Sequence, residues 1–527
     1  MGIPSYFSQI IRDYPHILKK LNYTNLHINN FYLDSNSIIY DVYHNIDFET
    51  LNDRVTSHII KQVISKIEEY VSIIDPKNTV LIAFDGVAPV AKLEQQRIRR
   101  YKSWYQNRIH KQIYNKTKDD PWNTASITPG TKFMSELNNS ISSHFNKKNI
   151  KKNNTLKYIF SGSDEYGEGE HKIFEYMRKN NYHFNETTVI YGLDADLIML
   201  AINHLHLCPN LFLFRETPQF IKSINSDLEP NENYFIDIPE FSKSLGQIMG
   251  SNDKLHDYIF MCFLLGNDFM PHFPAINIRT GGIHKLMNSY KDTVKQNEYI
   301  TNGLKINWNI FRKFVEHLAS QEEAFFQKEH KQRDAKEKRG VPETTEDEKY
   351  AKFETLPQYE RDIEKYINPF KSYWQVRYNR ALLDINCDIN GEQIKKICIN
   401  YLEGLEWTLK YYSQECPNWR WKYNYHYPPL LNDLIKYIPV FDTTFMPIVT
   451  PKPVSQLVQL CYVLPRSSLN LLPTPIYYEL LKYDWFKENF DFIWAYCSYF
   501  WESHVDMPHI EISDIEYIIH KKLKYIQ

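Results

Sequence analysis

The chain has 527 residues, 43% of them apolar, and a formal net charge of −2. That length allows a large core or more than one domain. The near-neutral balance excludes an overall basic field, so any polyanion must be gripped by a local patch. Seven cysteines (Cys208, Cys262, Cys387, Cys398, Cys416, Cys461 and Cys497) form no C-x-x-C pair, which argues against a structural zinc site and for a reducing compartment.

The chain opens on MGIPSYF, with no basic-then-apolar leader and with Tyr6 where a myristoylation signal needs Ser or Thr. The longest apolar runs, such as Tyr258 to Leu265, are far short of a membrane span. A soluble, membrane-free cytoplasmic protein is expected. Phe31-Tyr32-Leu33 leads to Asp34, Val80 to Phe84 leads to Asp85, and Val189 to Leu193 leads to Asp194, with Asp196 two further on. Runs this short and unalternating predict buried parallel strands. Helices are predicted between them, over 51–74, 91–116 and 172–178. The expected class is α/β, a mostly parallel central sheet flanked by helices, with ligands outside the carboxyl ends of the strands. Asp194 and Asp196 would share a side if the backbone there is extended. FLLGNDFMP then places Asp268 in a turn after an apolar helix. The stretch 321–364, with KEHKQRDAKEKRG and ETTEDEKY, predicts a solvated helix or mobile linker. The expected division is a core over 1–325, a charged linker over 326–365 and an aromatic-rich, mainly helical second segment over 366–527.

The stretch FSGSDEYGEGEH sets Glu168 and Glu170 on either side of Gly169, where a helix begins. Acids in a first turn can be ordinary capping chemistry. Here other strand-end carboxylates can converge on them, giving Asp34, Asp85, Glu168, Glu170, Asp194, Asp196 and Asp268. Hard oxygen donors without an organised Cys/His set suit Mg²⁺, with Mn²⁺ as a substitute. So many anions in one pocket need cations, and two divalent ions are the usual arrangement for cutting a phosphodiester. Just after Asp85, Lys92, Gln96, Arg99 and Arg100 fall on one face of a predicted helix. A basic face is most often simply solvated. Beside an acidic metal site it points to an anionic substrate, and Arg forks and Lys suit a terminal phosphate.

These stretches resemble the XRN-type 5′→3′ exoribonucleases. The resemblance runs in order through MGIPSYF, YLDSNSIIY, FDGVAPVAKLEQQRIRR, ITPGTKFM, FSGSDEYGEGEHKIFEYMR, YGLDADLIML and LLGNDFMPHFP. It continues in EWTLKYYSQECPNWRWKYNYHYPPL and LPRSSLNLLP, and weakens after about Pro475. It implies a PIN/FEN-like nuclease core and a Mg²⁺-dependent, processive enzyme. Such an enzyme degrades single-stranded RNA with a 5′-monophosphate to nucleoside 5′-monophosphates, as a monomer. The implied metal ligands are the same seven acids, and the implied 5′-phosphate pocket is Lys92, Gln96, Arg99 and Arg100. Base stacking would use Tyr40, where the family has histidine, and one of Trp419 and Trp421, with Trp421 favoured. The other tryptophan would be core packing, and His171 and His272 structural. Lacking the family's longer modules, the sequence reads as a catalytic-core form, of viral or protist type, acting in the cytoplasm, a viral factory or a virion. Two rivals are a structure-specific flap endonuclease, which would need a duplex-binding element, and an RNA-binding remnant, which would have lost some of the acids.

Overall fold

The computed structural model describes all residues except 1, 4, 22–25, 49–54, 118–121, 151–154, 181–184, 193, 219–220, 225, 227, 387–390, 448–451 and 524–527. Cys387 therefore lies outside the described residues, and the six other cysteines are free thiols.

Seven strands form one sheet: β1 (Leu18–Lys20), β2 (Asn30–Asp34), β3 (Thr79–Ala83), β4 (Lys157–Ser161), β5 (Thr187–Tyr191), β6 (Asn210–Glu216) and β7 (Asn233–Asp237), in the order β1-β7-β6-β5-β2-β3-β4. The five strands from β6 to β4 are parallel, and β7 runs antiparallel to both β6 and β1. The mostly parallel α/β sheet is thus as expected. Alternation along a strand sends side chains to opposite faces. Helices α1 (Tyr6–Asp13) and α2 (Asn36–His44) precede the long α3 (Val55–Ile74). Phe31 and Leu33 of β2 join Val80 and Ile82 of β3 under α3 and α5 (Lys132–Ile150). Tyr32 and Leu81 face the other way, onto Ile173, Phe174 and Met177 of α6 (Gly169–Lys179). Two apolar layers, one on each face, explain why these strands read as continuous apolar runs.

The predicted helices are present with shifted ends. The 51–74 helix is described as α3 from Val55, and 91–116 is α4 (Val90–Ile113). The predicted helix 172–178 starts three residues early, at Gly169. α5 and strands β1, β4, β6 and β7 had not been predicted.

The charged stretch is not a linker. A 30-residue helix, Trp308–Glu337, runs into it and buries Phe314, Leu318, Phe326 and Arg333 on one face. Arg333 donates two hydrogen bonds to Glu364, at 2.8 and 2.7 Å, and others to the carbonyls of Pro357 and Cys497. Arg361, 1% exposed, bonds Glu364, Asp334 and Glu337. Arg333, Arg361 and Glu364 satisfy one another inside the protein, where they had been expected to face water, while Lys328, Lys331, Lys336 and Lys338 do face it. Only helix Glu346–Glu354, closed by a Thr345/Glu348 capping box, buries none of its own residues. Truncating one member of a buried network strands its partner charge, so Arg333→Ala should cost about 3–5 kcal/mol, read as a lowered urea midpoint.

The second segment is mainly helical and rich in packed rings. It grips the start of α4: Val87, Val90 and Leu93 share a cluster with Val458, Tyr462, Ile476 and Ile515. The Val90 amide donates to the Trp419 carbonyl at 2.9 Å. Among the described residues no helix is long and apolar enough to cross a membrane.

Candidate active site

The sheet order puts β2 between β3 and β5, where the winding of the chain across the sheet reverses. That reversal opens a crevice at the carboxyl ends of the strands. β2 ends on Asp34, and Asp85 lies two residues beyond β3. The loop after β4 delivers Glu168 and Glu170 to the start of α6, and the turn after β5 delivers Asp194 and Asp196. Asp196 opens α7 (Asp196–Asn203), and Ala195 is helical (φ −67°, ψ −25°), so the expected extended pairing of Asp194 with Asp196 does not hold.

Oxygens of Asp34, Asp85 and Glu170 lie within 4.8 Å of one another. Within the same limit Glu168 and Glu170 gather with a ring nitrogen of His171, so Glu170 belongs to both groups. Gly169 permits this closeness, since a Cβ there would sit 2.4 Å from Asp34 Oδ1. Its N–H donates to Asp85 Oδ1 at 2.8 Å, and Asn36 Nδ2 donates to Asp85 Oδ2 at 2.6 Å. Glu168 occupies the N-cap position without accepting a backbone N–H through its side chain. It bonds Lys92 and accepts from Tyr411 Oη at 2.9 Å. Ordinary capping therefore does not account for Glu168.

Asp268 arrives from the turn after helix Leu255–Cys262 and accepts from Lys92 at 2.7 Å and Gln95 at 3.3 Å. Four of the seven acids thus meet at ligand distance, and the others join through their fields. Burial, followed by the charges of Asp85 and Asp194, raises the Asp34 carboxyl far above its ordinary range. Burial followed by Glu168 does the same to Glu170. Burial and then Asp268 push Asp196 up to about 7. Burial works against ionised Asp268 too, yet the adjacent Lys92 leads the charges that hold it well below the carboxylate range.

Such a set fits divalent cations. Apart from His171 the donors are carboxylate oxygens, suited to Mg²⁺ or Mn²⁺. Among the described residues Asp196 Oδ1 is buried without a hydrogen-bond partner, an oxygen that a cation would satisfy. His171 lies flat on Tyr411, with ring centres 3.7 Å apart and planes at 21°. Without a cation, ionising raised carboxyls costs stability above their folded-state values, and the cost is relieved as pH falls toward the unfolded value. The chelated protein should therefore gain thermal stability between about pH 8 and pH 6. Mg²⁺ should stabilise it more at the upper end, because cation and proton compete for the same oxygens. Melting curves with EDTA or Mg²⁺ across that range check both signs.

The basic face of α4 divides. Lys92, expected to hold phosphate, is buried and spent on Glu168 and Asp268, so it balances the acids. Gln96 and Arg99 are partly exposed on the same helix. Arg100 is the telling residue. Among the described residues its Nη2 reaches only the Ile127 carbonyl, at 3.5 Å, and its buried Nη1 finds no partner. Burial lowers the guanidinium to about 10, and the nearest opposing influence is Tyr40. Tyr40 is itself half-buried.

The favoured tryptophan is corrected. Trp421 is 8% exposed, stacks on Trp407 at 5.4 Å and 25°, and donates to Glu403. Trp419 is half-buried and meets the 54% exposed Tyr166 edge-on at 6.3 Å. Of the two rings, Trp419 is the more exposed. Tyr411, Gln95 and Asn36, which fix the acids, had not been singled out. Only contact in the fold marks them.

Comparison with known proteins follows the same residues. The family described as "XRN 5'-3' exonuclease N-terminus" matches residues 1–217, and "Xrn1 helical domain" matches 251–365 and 343–512. 5'-3' exoribonuclease 1 of Saccharomyces cerevisiae is 27% identical over 92% of this chain and 40% of the yeast protein. 5'-3' exoribonuclease 1 of Homo sapiens is 28% identical over 90% of this chain and 31% of the human one. The chain therefore spans less than half the length of these relatives. The catalytic core of Rad2 in complex with DNA overlaps 55% of this chain and 69% of its own, at 12% identity and a TM-score of 0.30. With both family descriptions matching in order along nearly all its length, the chain belongs to the XRN family of 5'-3' exonucleases.

Proposed function

We propose that this chain is a 5′→3′ exoribonuclease that removes nucleoside 5′-monophosphates, one after another, from single-stranded RNA bearing a 5′-monophosphate. The observation that carries the reading is the buried, unpaired Nη1 of Arg100 on the helix whose Lys92 bonds the acid cluster. A cationic nitrogen buried without a partner is costly, and a terminal phosphate supplies one. Arg99 adds a second cation beside it, and Gln96 can donate from the same face.

Asp34, Asp85, Glu168, Glu170, Asp194, Asp196 and Asp268 would hold two divalent ions, Mg²⁺ with Mn²⁺ as substitute. When bound, such ions supply an activated water and steady the departing oxygen. The chain's own groups do the rest. Arg99 and Arg100 fix the 5′ end, so the scissile bond one nucleotide inward falls at the acids. Tyr40 and Trp419 offer faces for the first bases, a sequence-tolerant grip worth about 1–3 kcal/mol per base. Tyr411 and Lys92 hold Glu168, and Asn36 and the Gly169 amide hold Asp85. The presence of all seven acids argues against a non-catalytic RNA-binding remnant. The domain reading becomes a core over 1–325 and a second segment over 366–527 that completes the site, joined by the folded stretch 326–365. The chain is proposed to act as a monomer in the cytoplasm, where its free thiols stay reduced.

Uniformly labelled 5′-monophosphorylated RNA tests this. Nucleoside 5′-monophosphates should appear from the first time point, with Mg²⁺ required. Oligonucleotides as the first products would favour an endonuclease and refute the proposal.

A further inference from the structure

A second chamber, of about 600 Å³, lies along another face of α4. Its volume suits a ligand of nucleotide size. Gln95, Ile98 and Arg99 of α4 form one wall, and Tyr423 to His426 of the second segment, with Trp501, form another. Asp268 and Gly2 also line it. Gly2 backs directly onto the acids, because a Cβ there would meet Asp196 Oδ1 at 1.8 Å. The chamber begins where the acid cluster ends. Lys92, Gln96, Arg100 and Tyr40, on the side proposed for the incoming strand, are not part of its lining.

The lining has unmet polar capacity. Among the described residues Gln95 Oε1 and Asn267 Nδ2 are buried without hydrogen-bond partners, one an acceptor and one a donor. Such atoms cost stability unless something pairs with them. Lys102 is spent on the carbonyls of Trp501 and Ser503, and Lys422 on Glu94. The Arg99 guanidinium forms no hydrogen bond or ion pair among the described residues, its carbonyl accepts from Ser103 Oγ at 3.0 Å, and its charge reaches Asp268. It is also the one residue of the proposed phosphate face that lines the chamber.

We propose that this chamber receives the nucleoside 5′-monophosphate released at each cleavage, with its phosphate on Arg99 and its base between the rings of Tyr425 and Trp501 and the amides of Gln95 and Asn267. The inference rests on the exoribonuclease reading above. A processive enzyme must clear each product before the next nucleotide advances, while the entrance stays filled by the strand. A chamber reached past Asp268 lets product leave without backing the strand out.

Filling the chamber tests this. Ile98→Trp places an indole in it and replaces no proposed ligand contact. Rapid-quench kinetics on 5′-monophosphorylated RNA with Mg²⁺ should show the first cleavage at the wild-type rate and later turnovers slowed roughly tenfold. Ile98→Phe should do the same more weakly, which keeps the test open if the larger ring prevents folding. Inhibition of the wild-type protein by added AMP should weaken roughly tenfold in Tyr425→Ala, the loss of one stacked base. Unchanged turnover in both Ile98 variants would overturn the proposal. So would first and later cleavages slowing together, or AMP inhibition untouched by Tyr425→Ala. A wild-type protein that releases no mononucleotide would instead refute the exoribonuclease reading, and the chamber's role with it.

Discussion

Glu170→Gln should lose RNA cleavage by about a thousandfold or more, because several kcal/mol of charge stabilisation converts at about 1.4 kcal/mol per decade of rate. Glu170 is the carboxylate common to both donor groups, so its loss weakens each of them. Binding of 5′-monophosphorylated RNA should survive, since the grip on the strand lies on α4 and on the rings. The same variant should be more stable than the wild type in EDTA. The Glu170 carboxyl is raised by burial and then by Glu168, so its ionised form destabilises the fold at neutral pH, and a neutral amide removes that cost. Mg²⁺ should then stabilise the variant less than the wild type. A variant inactive, less stable in EDTA and still fully Mg²⁺-responsive would be merely misfolded near the site. Rate assays beside paired melting curves separate the two.

Arg100→Ala should erase the preference for a 5′-monophosphate over a 5′-hydroxyl. Truncating one partner of a desolvated charge pair costs about 2–5 kcal/mol, so kcat/KM on phosphorylated RNA should fall roughly a hundredfold. On 5′-hydroxyl RNA it should hardly change, because there the guanidinium has no anion to meet. The orphaned Nη1 gives a further expectation. Inorganic phosphate or a short 5′-phosphorylated oligonucleotide should raise the melting temperature of the wild type and not of this variant. Equal losses on both RNAs would mean that Arg100 only supports the packing of α4 against Ile127.

The acids could be read from the sequence because buried parallel strands appear as short apolar runs, and because a carboxylate just past such a run lands on the rim where ligands gather. The pairing order of the strands could not be read this way. β5 meets β2 and β7 meets β1 through contacts far apart in sequence, and β7 turns antiparallel where the apolar runs alone suggest only parallel strands. Lys92 shows a different limit. Its charge and its place on the helix face were visible, but not that Glu168 and Asp268 would claim it. Composition misled for part of the 321–364 stretch, though helix Glu346–Glu354 is solvated as expected. Arg333, Arg361 and Glu364 count as solvated charges by residue type, and only the fold reveals that they neutralise each other in the interior. The two tryptophans are equivalent as sequence. What separates them is Trp407, one turn from Tyr411 on helix Glu392–Ser413, which takes Trp421 into the core and leaves Trp419 at the surface.

The most direct measurement uses one RNA sequence prepared with a 5′-monophosphate, a 5′-triphosphate or a 5′-hydroxyl, each offered to the wild-type protein with Mg²⁺ and with EDTA. Rapid loss of the 5′-monophosphate form alone, and only with Mg²⁺, is the predicted result. Equal degradation of all three ends, or degradation undiminished in EDTA, would contradict the pairing of a cation-holding acid cluster with a guanidinium socket.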